Sequence, residues 1–417
     1  MAHSTPFWRR LFRLGALVFW LFRAVWRIRQ LPEGNREARQ QAVRQLSMHC
    51  LDILNVRLHG LKQPAPLHPP KGNLMNPHLQ YLQELNQAAK TFWQTWQAEY
   101  PQLSELDDID FVERSNDILH QTLPDVALEL EGHLNGKDST LVFTANGERD
   151  YFPEVQAVVQ TAPQNLPHPI RAFRSPVPNL GDDFVIGMNG FQLGIGDIAV
   201  RLDEWREMPA LEIAFNRDIE EPYIEHAQNM AFIILDHLLG EYNAAVRIGP
   251  IDFLEQPEDG FFPLSELPEK LDDMWQQLGR SGVYPQPEWE YAFAEVEENE
   301  EREQDHLLLT RNQSANSLLG RADMAWIVWI DAELSDDDSV QAAYDLHEEF
   351  IGYAAQHQQG IDTLSVTNLS QGIRTVYAAT SAPETLLPQA IALCEKYPQL
   401  NAKAECEYDP TWAHYHF

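Results

Sequence analysis

Cysteine is scarce in this 417-residue chain: Cys50, Cys394 and Cys406 are all it holds. None forms a CxxC pair and the count is odd, which argues against a disulfide framework or a zinc ribbon and favours a reducing compartment. Long apolar runs are also lacking. The run Leu14–Phe22 has nine residues, where a regular membrane span needs about 20. The chain contains no GxxxxGK[ST] phosphate loop and no GxSxG nucleophile elbow. His347-Glu348-Glu349-Phe350 falls short of HExxH because Ile351 stands where the second histidine belongs. Positive charge is short as well: 30 Lys and Arg face 63 Asp and Glu, for a net charge of −33. That balance repels nucleic-acid phosphate and suits a basic protein partner. From these absences no catalytic residue, cofactor or metal site is assigned.

What is present is divided unevenly. Residues 1–74 carry 12 Lys and Arg against 3 Asp and Glu, while the rest of the chain carries 18 against 60. A proline-rich seam over residues 64–75, PAPLHPPKGNLM, separates the two parts. Such asymmetry predicts different partners for each part. Five segments follow: a basic helical leader (1–63), the seam (64–75), a first domain (76–265), a helical and acidic linker (266–319) and a second domain (320–417). The expected fold class is α+β, with two mixed helix and antiparallel-sheet domains, the second ferredoxin-like, and an N-terminal helical appendage.

The leader opens with WRRLFRLGALVFWLFRAVWRIR, residues 8–29. Arginines return after its apolar centre and no A-x-A cleavage site follows, so it is not read as a signal peptide. On a helical wheel Arg9, Arg13, Arg23 and Arg27 gather near one face, with Trp8, Trp20 and Trp26 suited to a headgroup boundary. This pattern predicts an interfacial amphipathic helix, with residues 7–29 on an anionic membrane surface and the protein cytoplasmic or peripheral on the inner membrane. A core-packing helix with a basic edge is the alternative. A second helix over about 35–54 and an alternating NVRLHG stretch follow. This order of basic helix, Arg/Gln-rich helix, strand and PKGNLM resembles the start of bacterial 1-acylglycerol-3-phosphate acyltransferases. The resemblance implies a strand and an Asn-His-x4-Asp motif next, with the histidine as general base. The chain instead reads MNPHLQYLQELNQ. The one His-x4-Asp, His120–Asp125, lacks the preceding Asn, and Glu131-Gly132 is followed by His-Leu. Both are read as coincidence.

In the first domain, Leu82, Leu85, Ala89, Phe92, Trp93 and Trp96 recur at helical spacing and predict a core-facing helix ended by Pro101. Asn146-Gly147 predicts a tight turn after a strand over 140–144. Gly194-Ile-Gly196-Asp-Ile-Ala199 matches GxGxxA, but strand-like IAVRL follows where the dinucleotide fingerprint needs a helix. Residues 222–241 predict a helix, with Asp236, His237 and Glu241 read as a solvated face rather than a metal site, and residues 243–254 predict a strand. The ANGxxDxFPxVxxxVxxAP-type run resembles an uncharacterised bacterial domain and implies no catalytic residue.

The run EVEENEEREQD, residues 295–305, reads as a solvated linker or helix face. Beyond it, MAWIVWIDAE predicts a buried strand, and Ser335-Asp336-Asp337-Asp338 predicts a helix cap. Strands over 361–367, 373–380 and 402–408 and a helix over 383–396 follow. The last fifty residues, ending Asp409-Pro-Thr-Trp412-Ala-His-Tyr415, resemble a second uncharacterised bacterial family whose members end Asp-Pro-x-Trp-x-x-Tyr. That resemblance implies a ferredoxin-like sandwich and no reaction. His414 and His416 lack a third ligand for a metal.

The functional expectation is a non-enzymatic acidic bacterial protein that binds a basic protein partner, an immunity-type protein being one version. The alternatives are a membrane-associated acyltransferase derivative without its motif, or a hydrolase built from scattered carboxylates and histidines.

Overall fold

The computed structural model describes residues 76–137, 139–188, 190–296 and 305–416. The leader and seam, with Trp8, Arg9, Arg13, Trp20, Arg23, Trp26 and Arg27, lie outside the described residues.

Helix α1 (Pro77–Leu103) starts where Asn76 accepts the amides of His78 and Leu79, with Pro77 at the first helical position. Its buried stripe runs from Leu82 to Trp96, as the spacing requires. The helix does not stop at Pro101. That proline forfeits one amide donor in the last turn, and the helix continues to Leu103, which is buried. Helix α2 (Asp108–Leu119) is capped by Asp107. Strands β1 (Ala127–Glu131) and β2 (Thr140–Thr144) pair antiparallel. Helix α3 (Phe152–Gln160) then carries the chain to β3 (Ile170–Ala172), parallel to β2.

The middle of the chain has its own core. Strands β4 (Val185–Met188) and β5 (Phe191–Gly194) form the expected hairpin. Strands β6 (Ile198–Trp205) and β7 (Met208–Phe215) pair antiparallel across the turn at Arg206-Glu207. Helix α4 (Ile224–Leu239) lays Met230, Ile234 and Leu235 against Ile198, Val200 and Ile213 of that sheet. The chain then departs from the expectation of one helix to Glu241 and a strand from 243. Gly240 takes φ +80°, and a Cβ there would lie 2.8 Å from Pro176 Cδ and 3.0 Å from the Arg174 carbonyl oxygen. The close approach demands glycine and breaks the helix. A new short helix, α5 (Glu241–Val246), follows, and β8 is limited to Ile251–Phe253, parallel to β7. Strand β9 (Phe262–Pro263) pairs with β6, and α6 (Leu267–Gln277) closes this core.

The C-terminal part is one six-stranded antiparallel sheet. Its strands are β10 (Trp289–Val296), β11 (Asp305–Asn312), β12 (Trp326–Glu333), β13 (Gly360–Asn368), β14 (Ile373–Thr380) and β15 (Lys403–Tyr408). The order is β10-β11-β13-β14-β12-β15. Helix α7 (Asp337–Gln356), capped by Asp336 as the acidic triplet implies, joins β12 to β13, and α8 (Pro383–Lys396) joins β14 to β15. The unit β12-α7-β13-β14-α8-β15 is thus βαββαβ with its fourth, first, third and second strands side by side, which is the ferredoxin-like arrangement. The chain is α+β, as expected. Strands β10 and β11 are extra, and the acidic run between them conceals both in the sequence.

The sheet is covered on both faces. Trp326, Val328, Ile330, Val376 and Ala378 point to α7 and α8, in a core continuous with that of α1, α2 and α3. Ile327 and Ala379 point the other way, to Trp275 and the chain terminus, where Trp412 and Tyr415 are fully buried. The terminal Asp-Pro-x-Trp-x-x-Tyr is therefore a plug on the sheet.

Candidate functional site: an acidic cleft

A cleft of about 870 Å³ opens where the three parts meet. Its floor is apolar: Trp326 at the start of β12, Phe232 of α4, Ala244 and Ala245 of α5, Ile248 and Cys406. Its polar lining is one-signed. Glu148, Asp150, Asp252, Glu407 and Asp409 supply carboxylates, and Arg149 is the single arginine or lysine among the lining residues. Clefts at the junction of lobes, with apolar walls and a few polar groups, are the usual form of a binding site.

Each wall is held by identifiable bonds. Asn146 and Gly147 both take positive φ, the turn that their sequence predicts. That turn is pinned by Glu241, which is fully buried and accepts the amides of Ala145 at 2.9 Å, Gly147 at 3.0 Å and Arg174 at 3.2 Å. The break at Gly240 places Glu241 there. On the opposite wall, Asp409 accepts the amide and hydroxyl of Thr411 at 2.9 and 2.7 Å and the amide of Ala413 at 2.5 Å. Trp412, in a left-handed conformation with φ +50°, donates from Nε1 to the Met324 carbonyl oxygen at 2.8 Å. Asp409 therefore shapes the cleft, while Glu407 is open to a ligand. Burial raises the Glu407 carboxyl above its ordinary value, Asp409 adds to the rise, His78 opposes it and Glu405 contributes again. A cation entering the cleft would favour the ionised form.

Beneath the Gly147 turn lies a buried ionic cluster. Arg174 meets Glu129 at 3.1 Å and Asp236 at 3.4 Å and also donates to Asn146. Burial alone would lower the Arg174 pKa, but Glu129, Glu241 and Asp236 around it hold it above the usual arginine range. Asp236 is pushed up to about 6, by burial first, with Glu241 and Glu129 adding and Arg174 opposing. The sequence reading of Asp236 and Glu241 as a solvated face is thus corrected. Asp236 meets the Arg174 guanidinium from the last turn of α4, and Glu241, just past the break at Gly240, accepts the Arg174 amide. His237 packs edge-on to Phe184, with ring centroids 5.6 Å apart.

The other candidates are dispersed. His347 donates from Nε2 to Asp362 at 2.9 Å and accepts at Nδ1 from Arg374 at 2.9 Å. The guanidinium fixes the tautomer and occupies the nitrogen that a general base would use. His168 lies between the Ser139 hydroxyl at 2.8 Å and the Tyr100 hydroxyl at 2.9 Å, all inside the helical core. His414 bonds Thr363 at 2.9 Å, whereas His416 meets Glu207 at 3.3 Å, so the two histidines serve different partners. Among the described residues no group of three or more His, Cys, Asp or Glu is placed to hold a metal ion. His120 closes α2 and Asp125 lies in the turn before β1, and neither lines the cleft. Ile195–Asp197 is a 3-10 turn between β5 and β6, not the start of an α-helix. No described helix is long and apolar enough to cross a membrane.

The sequence reading singled out none of the cleft carboxylates Glu148, Asp150, Asp252 and Glu407. Glu148 and Asp150 sit just past the legible Asn-Gly turn, and Glu407 just before the legible Asp-Pro. Their convergence depends on three distant segments. Comparison with protein families, curated proteins and solved structures finds no match for the chain.

Proposed function

We propose that the protein is a non-enzymatic binding protein whose central cleft receives a cationic segment of a basic protein partner. The observation that supports this is the lining itself: carboxylates from three distant segments face one apolar-floored cleft of about 870 Å³, with Arg149 the single arginine or lysine among them. Lysine and arginine suit such a site because their apolar stems lie along an apolar floor while their heads meet carboxylates at the rim. The acidic body adds long-range attraction that speeds encounter with a basic partner and weakens with salt. An immunity-type role, neutralising a basic toxin, is the biological form of this reading.

The test is titration of the full chain with an octalysine peptide, beside a variant carrying Glu148→Gln, Asp252→Asn and Glu407→Gln. These three line the cleft, whereas Asp409 and Glu241 hold its walls and stay untouched. The reading predicts binding that falls at least tenfold in the variant. Equal affinity for the two proteins, or no binding by either, overturns it.

A further inference from the structure

The two edges of the six-stranded sheet are treated differently. At β15 the edge is sealed: Asn76 Nδ2 donates to the Ala404 carbonyl oxygen at 2.8 Å, and the His78 ring meets the Cys406 carbonyl oxygen at 2.7 Å. At the other side β10 ends the sheet among the described residues. Natural proteins guard such an edge with proline, lysine, a bulge or a covering segment. Strand β10, WEYAFAEV, has neither proline nor lysine and pairs with β11 without a register shift. It is also apolar on one face. Tyr291 is 77% exposed, Phe293 57% and Trp289 39%, and Leu308, opposite Phe293 on β11, is 43% exposed. Glu290, the second residue of the strand, is already met by Arg311 at 2.8 Å.

We infer that two copies of this chain pair through this edge, β10 against β10 and antiparallel, about a two-fold axis at Ala292. The register is self-complementary. Tyr291 falls opposite Phe293 of the other copy in both halves, which makes two aromatic cross-strand pairs. Trp289 falls opposite Glu295, Glu290 opposite Ala294, and Glu288 opposite Val296. No two acidic residues face each other directly, although the chain as a whole is strongly acidic. The antiparallel arrangement also places the two Val296 residues at opposite ends of the paired strands. Eight residues at ~3.3 Å per residue set them roughly 26 Å apart. The exposed Trp289, Tyr291, Phe293 and Leu308 side chains present on the order of 500 Å² per copy, given ~150–250 Å² for each large side chain. Edge-on pairing covers only the outer flanks of Trp289, Tyr291 and Phe293 and leaves the sheet face and Leu308 in water, so a pair buries well under the ~1,000 Å² of a stable specific interface. The dimer is therefore weak, and because net charge opposes it, salt strengthens it. This is opposite in sign to the salt response of the cleft.

The test is sedimentation equilibrium of the full chain at low and moderate salt, with Tyr291→Lys/Phe293→Lys beside it. Wild type shows a monomer–dimer equilibrium that tightens several-fold with salt, and the lysine pair abolishes it while its far-ultraviolet circular dichroism stays unchanged. The register is tested by Ala292→Cys and Glu288→Cys with a short bismaleimide, against the background of the unsubstituted chain. Ala292→Cys cross-links to its own copy, because the axis places it against itself, and Glu288→Cys does not. A wild-type monomer at every concentration overturns the proposal. So does a dimer that ignores the lysine pair, or one in which Ala292→Cys fails to cross-link.

Discussion

Glu241 accepts the amide of Ala145 at 2.9 Å across 96 residues of sequence. That bond fastens the helical middle of the chain to the turn that carries Glu148 and Asp150, and so sets one wall of the cleft. Losing the carboxylate leaves three amides and a buried guanidinium short of a partner. Glu241→Ala is expected to destabilise the protein by roughly 3–5 kcal/mol, the range for breaking a buried ion pair. Glu241→Gln keeps an acceptor and should cost about half as much. Urea unfolding checks both.

Gly240 is the second point of control. With φ +80° and a would-be Cβ 2.8 Å from Pro176, Gly240→Ala meets both strain and a clash. A loss of about 1–3 kcal/mol is expected. A thermal melt of the variant that coincides with wild type would contradict the geometry.

Acid should weaken the fold through His414. Its Nε2–H donates to Thr363, which itself donates to the Tyr377 carbonyl oxygen, and its buried Nδ1 has no partner. Burial therefore lowers its pKa from 6.5 to about 4, with Asp409 opposing and His416 adding. The unfolded chain takes up this proton near pH 6.5 and the folded protein only near pH 4. The stability involved is whole above pH 6.5 and is lost as pH falls toward 4, by up to roughly 3 kcal/mol. His414→Gln should flatten this acid limb in unfolding measured across that window.

Glu154 has the opposite sign. Burial first, then Asp125, raises its carboxyl from 4.5 to about 7. Its contribution is whole below pH 4.5 and is lost as pH rises through 7. Glu154→Gln is expected to stabilise the protein near pH ~8 by about 1 kcal/mol, the full shift being discounted because the side chain is partly exposed and screened. A variant less stable than wild type at that pH would contradict this.

The sequence reveals most of the elements and little of the site. Helix α1 was legible from Leu82 to Trp96 because one apolar stripe decides its face. The cap at Asp336 and the helix Pro383–Lys396 were legible for similarly local reasons. The break at Gly240 was not, because it depends on Pro176 and Arg174, more than sixty residues away. Strands β10 and β11 were hidden because an acidic run between two strands has the composition of a linker. The cleft was illegible because Glu148, Asp252 and Glu407 are ordinary surface acids until tertiary packing brings them around Trp326 and Phe232.

The most direct test of the cleft as a cation site is hydrogen–deuterium exchange on the full chain with and without octalysine. The account predicts slowed exchange confined to residues 147–150, 249–252 and 406–411, the segments that form the rim. Protection elsewhere, for example along α7 or β10 with these three segments unchanged, would contradict it.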